Sequence, residues 1–165
     1  MNGIEMIVLS LEKAKGWLLG LVEDMKDTPV TFPTPKGGNH PLWVLGHVIH
    51  SEAGLVARFI LGKENPLAKW DSLFGRGSVP EADAARYPSM DELLVEWERV
   101  RVRTLDVLRS FSDADLSRPS KAPPELADRF ATIADCFSVI SLHAIFHAGQ
   151  VADARRALGR KPLLA

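Results

Sequence analysis

Four long stretches of this 165-residue chain carry apolar residues at helical spacing, and each gap between them is dense in proline or glycine. Ile7, Leu11, Leu18, Leu21, Val22 and Met25 predict a first helix from about Ile4 to Asp27. Pro29, Pro33, Pro35, Gly37 and Gly38 make Thr28 to Asn39 a loop. A second helix, rich in Leu, Val, Ile and Phe, runs from about Pro41 to Leu61, with Gly62 as its left-handed cap. Ser89-Met-Asp-Glu92 has the form of a capping box, in which hydroxyl and carboxylate each satisfy an unpaired amide, and opens a third helix reaching about Phe111. Ser112 to Asp115 reads as a short turn or helix, and Arg118 to Pro124 is again proline-rich. The last helix spans roughly Asp128 to Leu158, stopped by Gly159 with Pro162 just beyond. No segment alternates as a strand would. The expectation is an all-α fold, one domain over residues 1–165 built as a bundle of four principal helices.

The remaining long segment, Lys63 to Pro88, is irregular, and loops of that length in compact domains are often functional. Trp70 and Phe74 within it are expected to wall a pocket mouth, whereas Trp17, Trp43 and Trp97 read as core. The single cysteine, Cys136, has no partner in the chain; it reads as a core thiol suited to a reducing cytoplasm. Met1-Asn-Gly-Ile-Glu-Met does not have the basic-then-apolar form of a secretory leader, and no uninterrupted apolar run approaches the roughly 20 residues that cross a bilayer. Neither a membrane nor a nucleic acid is an expected partner, since 20 basic and 21 acidic residues leave a net charge of −1. Two arginine clusters, Arg99, Arg101 and Arg103, then Arg155, Arg156 and Arg160, read as solvated faces and as cations near a helix carboxyl end.

Chemistry is concentrated in the five histidines. His143 and His147 stand four residues apart in the last helix, so their imidazoles share one face. His47 lies mid-way along the second helix, with Trp43 and Ser51 one turn to either side. A lone histidine on an apolar face is usually a core residue satisfied by a hydrogen bond. Here both groups lie in segments that a bundle must turn inward, where several unpaired imidazoles would be costly to bury. The residues therefore point to His47, His143 and His147 as metal ligands. Three histidines leave coordination positions open for water or substrate, and an ion held so can lower the pKa of a bound water or thiol. Gln150, three residues after His147, is placed to orient a ligand by hydrogen bonding. His50, offset by about 60° from His47 on the helix, and Trp43 are candidate pocket residues. His40 should precede the helix. Asp135 and Asp153 are candidate bases beside the site and Arg58 a candidate contact for an anionic substrate, but all three read more simply as surface charges.

Asn39 through Glu52, with Trp43, Gly46 and His47, together with His143-x-x-x-His147-x-Gly149-Gln150, Arg155-Arg156-x-x-Gly159 and the Phe111 to Leu116 turn, resemble the DinB-like superfamily of small metal-binding four-helix proteins, which includes the YfiT-type proteins. The resemblance runs over nearly the whole chain. It implies an up-down-down-up bundle with a divalent ion, zinc or nickel, held by His47, His143 and His147, and often a homodimer. His40 and His50 stand outside the motif. It further implies small-molecule substrates and transfer chemistry in which the metal activates a low-molecular-weight thiol such as bacillithiol, mycothiol or glutathione. The expected function is thus a metal-dependent thiol S-transferase acting on small electrophiles, with a metal-dependent hydrolase or a non-catalytic metal- or ligand-binding stress-response protein as the alternatives.

Overall fold

The computed structural model describes residues 1–163, and among these there is no strand. Helix α1, Gly3–Glu23, begins at a capping box: Asn2 Oδ1 accepts from the Glu5 amide at 2.8 Å and the Glu5 carboxylate accepts from the Asn2 amide at 2.9 Å. It ends before the expected Asp27, because the backbone tightens into turns that pair the amides of Met25 and Lys26 with the carbonyls of Val22 and Glu23. Helix α2, Pro41–Gly54, continues without a break as a π-helix, Leu55–Leu61, and stops at Gly62, whose φ of 68° is the left-handed cap the sequence predicts. The long middle segment holds the 3-10 turn Ala68–Trp70, helix α3, Asp71–Phe74, and a further 3-10 turn, Ala84–Arg86. Helix α4, Met90–Arg109, starts at the Ser89 and Glu92 box.

The last predicted helix is in fact two. Helix α5, Ala127–Phe130, ends before Thr132, and helix α6, Ile133–Ala157, starts afresh there. Thr132 and Asp135 form their own capping box, so Asp135 is a helix cap rather than a free surface charge. An aspartate in place of the usual Glu or Gln at the third position conceals this signal in the sequence.

Helix α1 lies chiefly along α6, and α2 packs against both α4 and α6, so the residues of α2 are walled on two sides. Trp97, Phe137, Leu18 and Leu45 are wholly buried in the result. Pro41–Leu61 has the length and hydropathy of a membrane span, yet 67% of its most apolar window is buried inside the fold, which is the position of a core helix. Cys136 is fully buried, and burial pushes its thiol up to about 11, which suppresses thiolate chemistry.

Two expectations fail for a shared reason, that neighbours in sequence point apart on a helix. Trp17 is 54% exposed rather than core, because Leu11, Ala14, Leu18 and Val22 form the buried stripe and residue 17 sits about 100° from residue 18. Arg101 is 3% exposed rather than solvated. Its Nε and Nη2 each donate to the Glu52 carboxylate at 2.9 Å, Nη1 donates to the Leu11 carbonyl at 2.6 Å, and Trp97 Nε1 donates to the same carboxylate at 3.1 Å. The buried Arg101 guanidinium, paired with Glu52 and bonded to Leu11, thereby ties α1, α2 and α4 together. Arg155 is likewise buried, donating to Asp24 Oδ2 at 2.8 Å and to the Lys161 carbonyl at 2.9 Å, so it fastens the chain end to α1.

Candidate metal centre

His47 is positioned by its neighbour. Residue 46 is glycine, and a Cβ there would lie 2.2 Å from Phe74 Cε1, so only glycine lets the Phe74 ring rest directly on α2. That contact brings the Phe74 carbonyl to 2.7 Å from His47 Nδ1. A carbonyl can only accept, so the imidazole proton is held on Nδ1 and Nε2 keeps its lone pair. Trp43, one turn earlier, stacks on the His47 ring with centroids 4.5 Å apart and planes 10° from parallel, fixing the ring's plane as well as its tautomer. Trp43 Nε1 is satisfied by Ser78 Oγ at 3.1 Å.

His147 is fixed in the same way from α6. Its Nδ1 donates to Gln150 Oε1 at 2.8 Å, and that oxygen also accepts from Asn39 Nδ2 at 3.0 Å. His147 Nε2 is therefore bare too, and it lies 3.0 Å from His143 Nε2. The three ring centroids are 4.5 to 5.0 Å apart, and all the ligating atoms fall within 4.8 Å of one another.

The donor set fits a divalent ion. With metal–nitrogen bonds of about 2.1 Å, adjacent ligand nitrogens stand about 3.0 to 3.4 Å apart, and two of the three imidazoles are already locked with Nε2 unprotonated. Desolvation by burial lowers His143 to about 3 and His47 to about 4, each helped by the neighbouring histidines, and lowers His147 as well. All three are neutral near pH 7, the state in which imidazole binds metal.

The histidines open on a cavity of about 610 Å³, which His47 and His143 both line. His50 lines it as well, but its Nε2 donates to Asp71 Oδ1 at 2.6 Å, so it serves Asp71 rather than the histidine cluster. His40 caps α2: Nδ1 accepts from the Trp43 amide at 3.0 Å and Nε2 donates to the Glu81 carbonyl at 2.9 Å. Phe74 does not wall a pocket mouth, being fully buried against Gly46, and Trp70 packs edge-on to it at 5.7 Å. Phe59 and Phe130 supply the aromatic wall instead. Arg58, expected first as a surface charge and second as a contact for an anionic substrate, stands at the cavity, while Asp153 pairs with Arg156 on the surface. Sequence reasoning missed Asn39 and Asp71: the first carried only a motif position, and the second had no signal beyond its place in a long loop.

Three histidines from two long helices, gathered beside an open cavity in an all-helical fold, define a class of small helical proteins with a cluster able to hold one metal ion. The family model of the DinB superfamily matches residues 10–151, and the chain belongs to that superfamily, whose members are metal-binding. No curated protein matches it.

Proposed function

We propose that this chain is a divalent-metal enzyme that joins a low-molecular-weight thiol to a small electrophile, with His47, His143 and His147 as the ligands. The observation that carries this reading is the open side of the cluster: three neutral imidazoles converge with no carboxylate or thiolate among them, on a cavity large enough for a small organic molecule. A divalent ion, when bound, would supply Lewis acidity that lowers the pKa of a bound thiol toward neutrality. The protein's part is to hold the three lone pairs aimed at one point. Phe74 and Gln150 fix two of the tautomers, and Trp43 fixes the plane of His47. Cys136 is buried away from this site with its thiol raised, so the nucleophile in this reading comes from outside the chain.

Metal-assisted hydrolysis is favoured by one observation, the Asp71 carboxylate on the same cavity, which could take a proton from an attacking water. In the leading reading the four long helices form an up-down-down-up bundle, the native ion is zinc or nickel, and the protein works in the cytoplasm. A homodimer would use the exposed Leu142 and Phe146 on the outer face of α6.

Elemental analysis of tag-free protein purified without chelator tests the metal: about one divalent ion per chain, lost in His143→Ala, is expected. A screen of thiols against electrophiles then tests the chemistry. A chain that takes up no ion even on reconstitution sinks the enzymatic readings together, and a loaded chain that conjugates no thiol sinks the transferase.

A further inference from the structure

The cavity beside the histidines carries three arginines for which the thiol chemistry has no use. Arg58 comes from the π-helical end of α2, Arg76 from the turn after α3, and Arg129 from α5. Asp71 is the one carboxylate in the lining; its Oδ1 already accepts from His50 and lies 3.9 Å from Arg58 Nη2. Arg76 and Arg129 have no carboxylate within 4.0 Å among the described residues. The same cavity has an apolar side, where Phe59 and Phe130 meet edge to face with centroids 5.0 Å apart.

Guanidinium groups repel one another, and a shared cavity gives exposed arginines no advantage unless something negative enters it. Their planar forks match carboxylate and phosphate oxygens in bidentate fashion. Three arginines face one carboxylate in the lining, and Asp71 is already engaged by His50 and Arg58, so Arg76 and Arg129 leave the cavity with unbalanced positive charge. We infer that the cavity binds a small organic anion with an apolar body, its carboxylate or phosphate held by Arg76 and Arg129 while the body lies against Phe59 and Phe130. Arg58 balances Asp71. The molecule is a substrate of the proposed transfer, and in that respect the inference rests on that function; its reacting end would then face His47 and His143.

Phenylacetate and phenylacetamide share one shape and differ in charge, which makes them the probes. Calorimetric titration of the chelator-treated chain should show phenylacetate binding about tenfold or more tightly than the amide, the difference a charge-assisted pair makes. The R76Q/R129Q double variant, altered only at exposed side chains, should erase the preference, while R99Q/R109Q, at exposed positions of α4, which does not line the cavity, keeps it and excludes a general charge effect. Equal binding of acid and amide, no binding up to about 30 mM, or an unchanged preference in R76Q/R129Q would overturn the inference. Metal plays no part in these titrations, so metal uptake stands or falls separately. Zinc-loaded protein with 3-mercaptopropionate and its methyl ester then locates the anion. A preference for the acid places it on the thiol; no preference, with phenylacetate still bound, places it on the electrophile.

Discussion

Gly46 and Phe74 are in contact because residue 46 has no side chain, and the same contact puts the Phe74 carbonyl 2.7 Å from His47 Nδ1. A packing requirement and the orientation of a candidate metal ligand are therefore one feature. Gly46→Ala should separate them from each other. The added methyl would lie 2.2 Å from the ring edge, so the α3 turn must move, at a cost of about 1–3 kcal/mol. His47 would lose its fixed tautomer, weakening metal affinity by about 10- to 100-fold. Urea denaturation and competition with a chromophoric chelator measure the two effects, and full-strength metal binding in this variant would show that Phe74 does not position His47.

Gln150 holds His147 by an acceptor oxygen that Asn39 also engages. Gln150→Leu removes the acceptor and should weaken metal affinity by about 10- to 100-fold with little change in fold. Gln150→Glu keeps an acceptor at the same reach and should retain most of the affinity. Equal losses in both variants would assign Gln150 to packing alone.

The spacing of His143 and His147 is local, so helical geometry alone makes their shared face legible, and the apolar company of His47 points it inward. The helix boundaries were legible where Gly62 and the Ser89 box mark them, and lost where Thr132 uses Asp135 as its partner. Arg101 could not be read as buried, because its counter-charge, Glu52, is 49 residues away and a sequence pattern shows no such pairing. Asp71 and Arg129 reach the cavity only through the placement of α3 and α5, elements of four residues with no periodicity to reveal a face.

Acid should destabilise the metal-free protein through the half-buried His47 and His143. Burial holds His47 at about 4 and His143 at about 3, below the ordinary 6.5 that each regains on unfolding. Between those values the unfolded chain binds more protons than the folded one, so stability rises with pH. The contribution is complete above about pH 6.5 and is lost as pH falls toward 4 and then 3. Urea midpoints of the chelator-treated chain should fall between pH 7 and 4.5, and His143→Leu should flatten that dependence. An equally steep fall in His143→Leu would mean that other groups govern it.

The Glu52 carboxylate is almost fully enclosed and receives three hydrogen bonds, two from Arg101 and one from Trp97, on the side of α2 turned toward α4 and away from His47 five residues earlier. Removing one member leaves the other charge buried without a partner. Arg101→Met should therefore cost about 3–5 kcal/mol, far more than the loss of an exposed ion pair such as Arg99 with Glu96. Replacing both ends together, as in E52Q/R101M, removes the stranded charge and keeps an acceptor for Trp97 Nε1, so much of the stability should return. Urea denaturation of the two single variants and the double variant gives the coupling directly, since these residues touch and their effects will not add. If the double variant is as unstable as the sum of the singles, the pair is not the unit that joins α1, α2 and α4. If it recovers stability but binds metal less tightly, the ion pair sets the register of α2 that brings His47 to the α6 histidines.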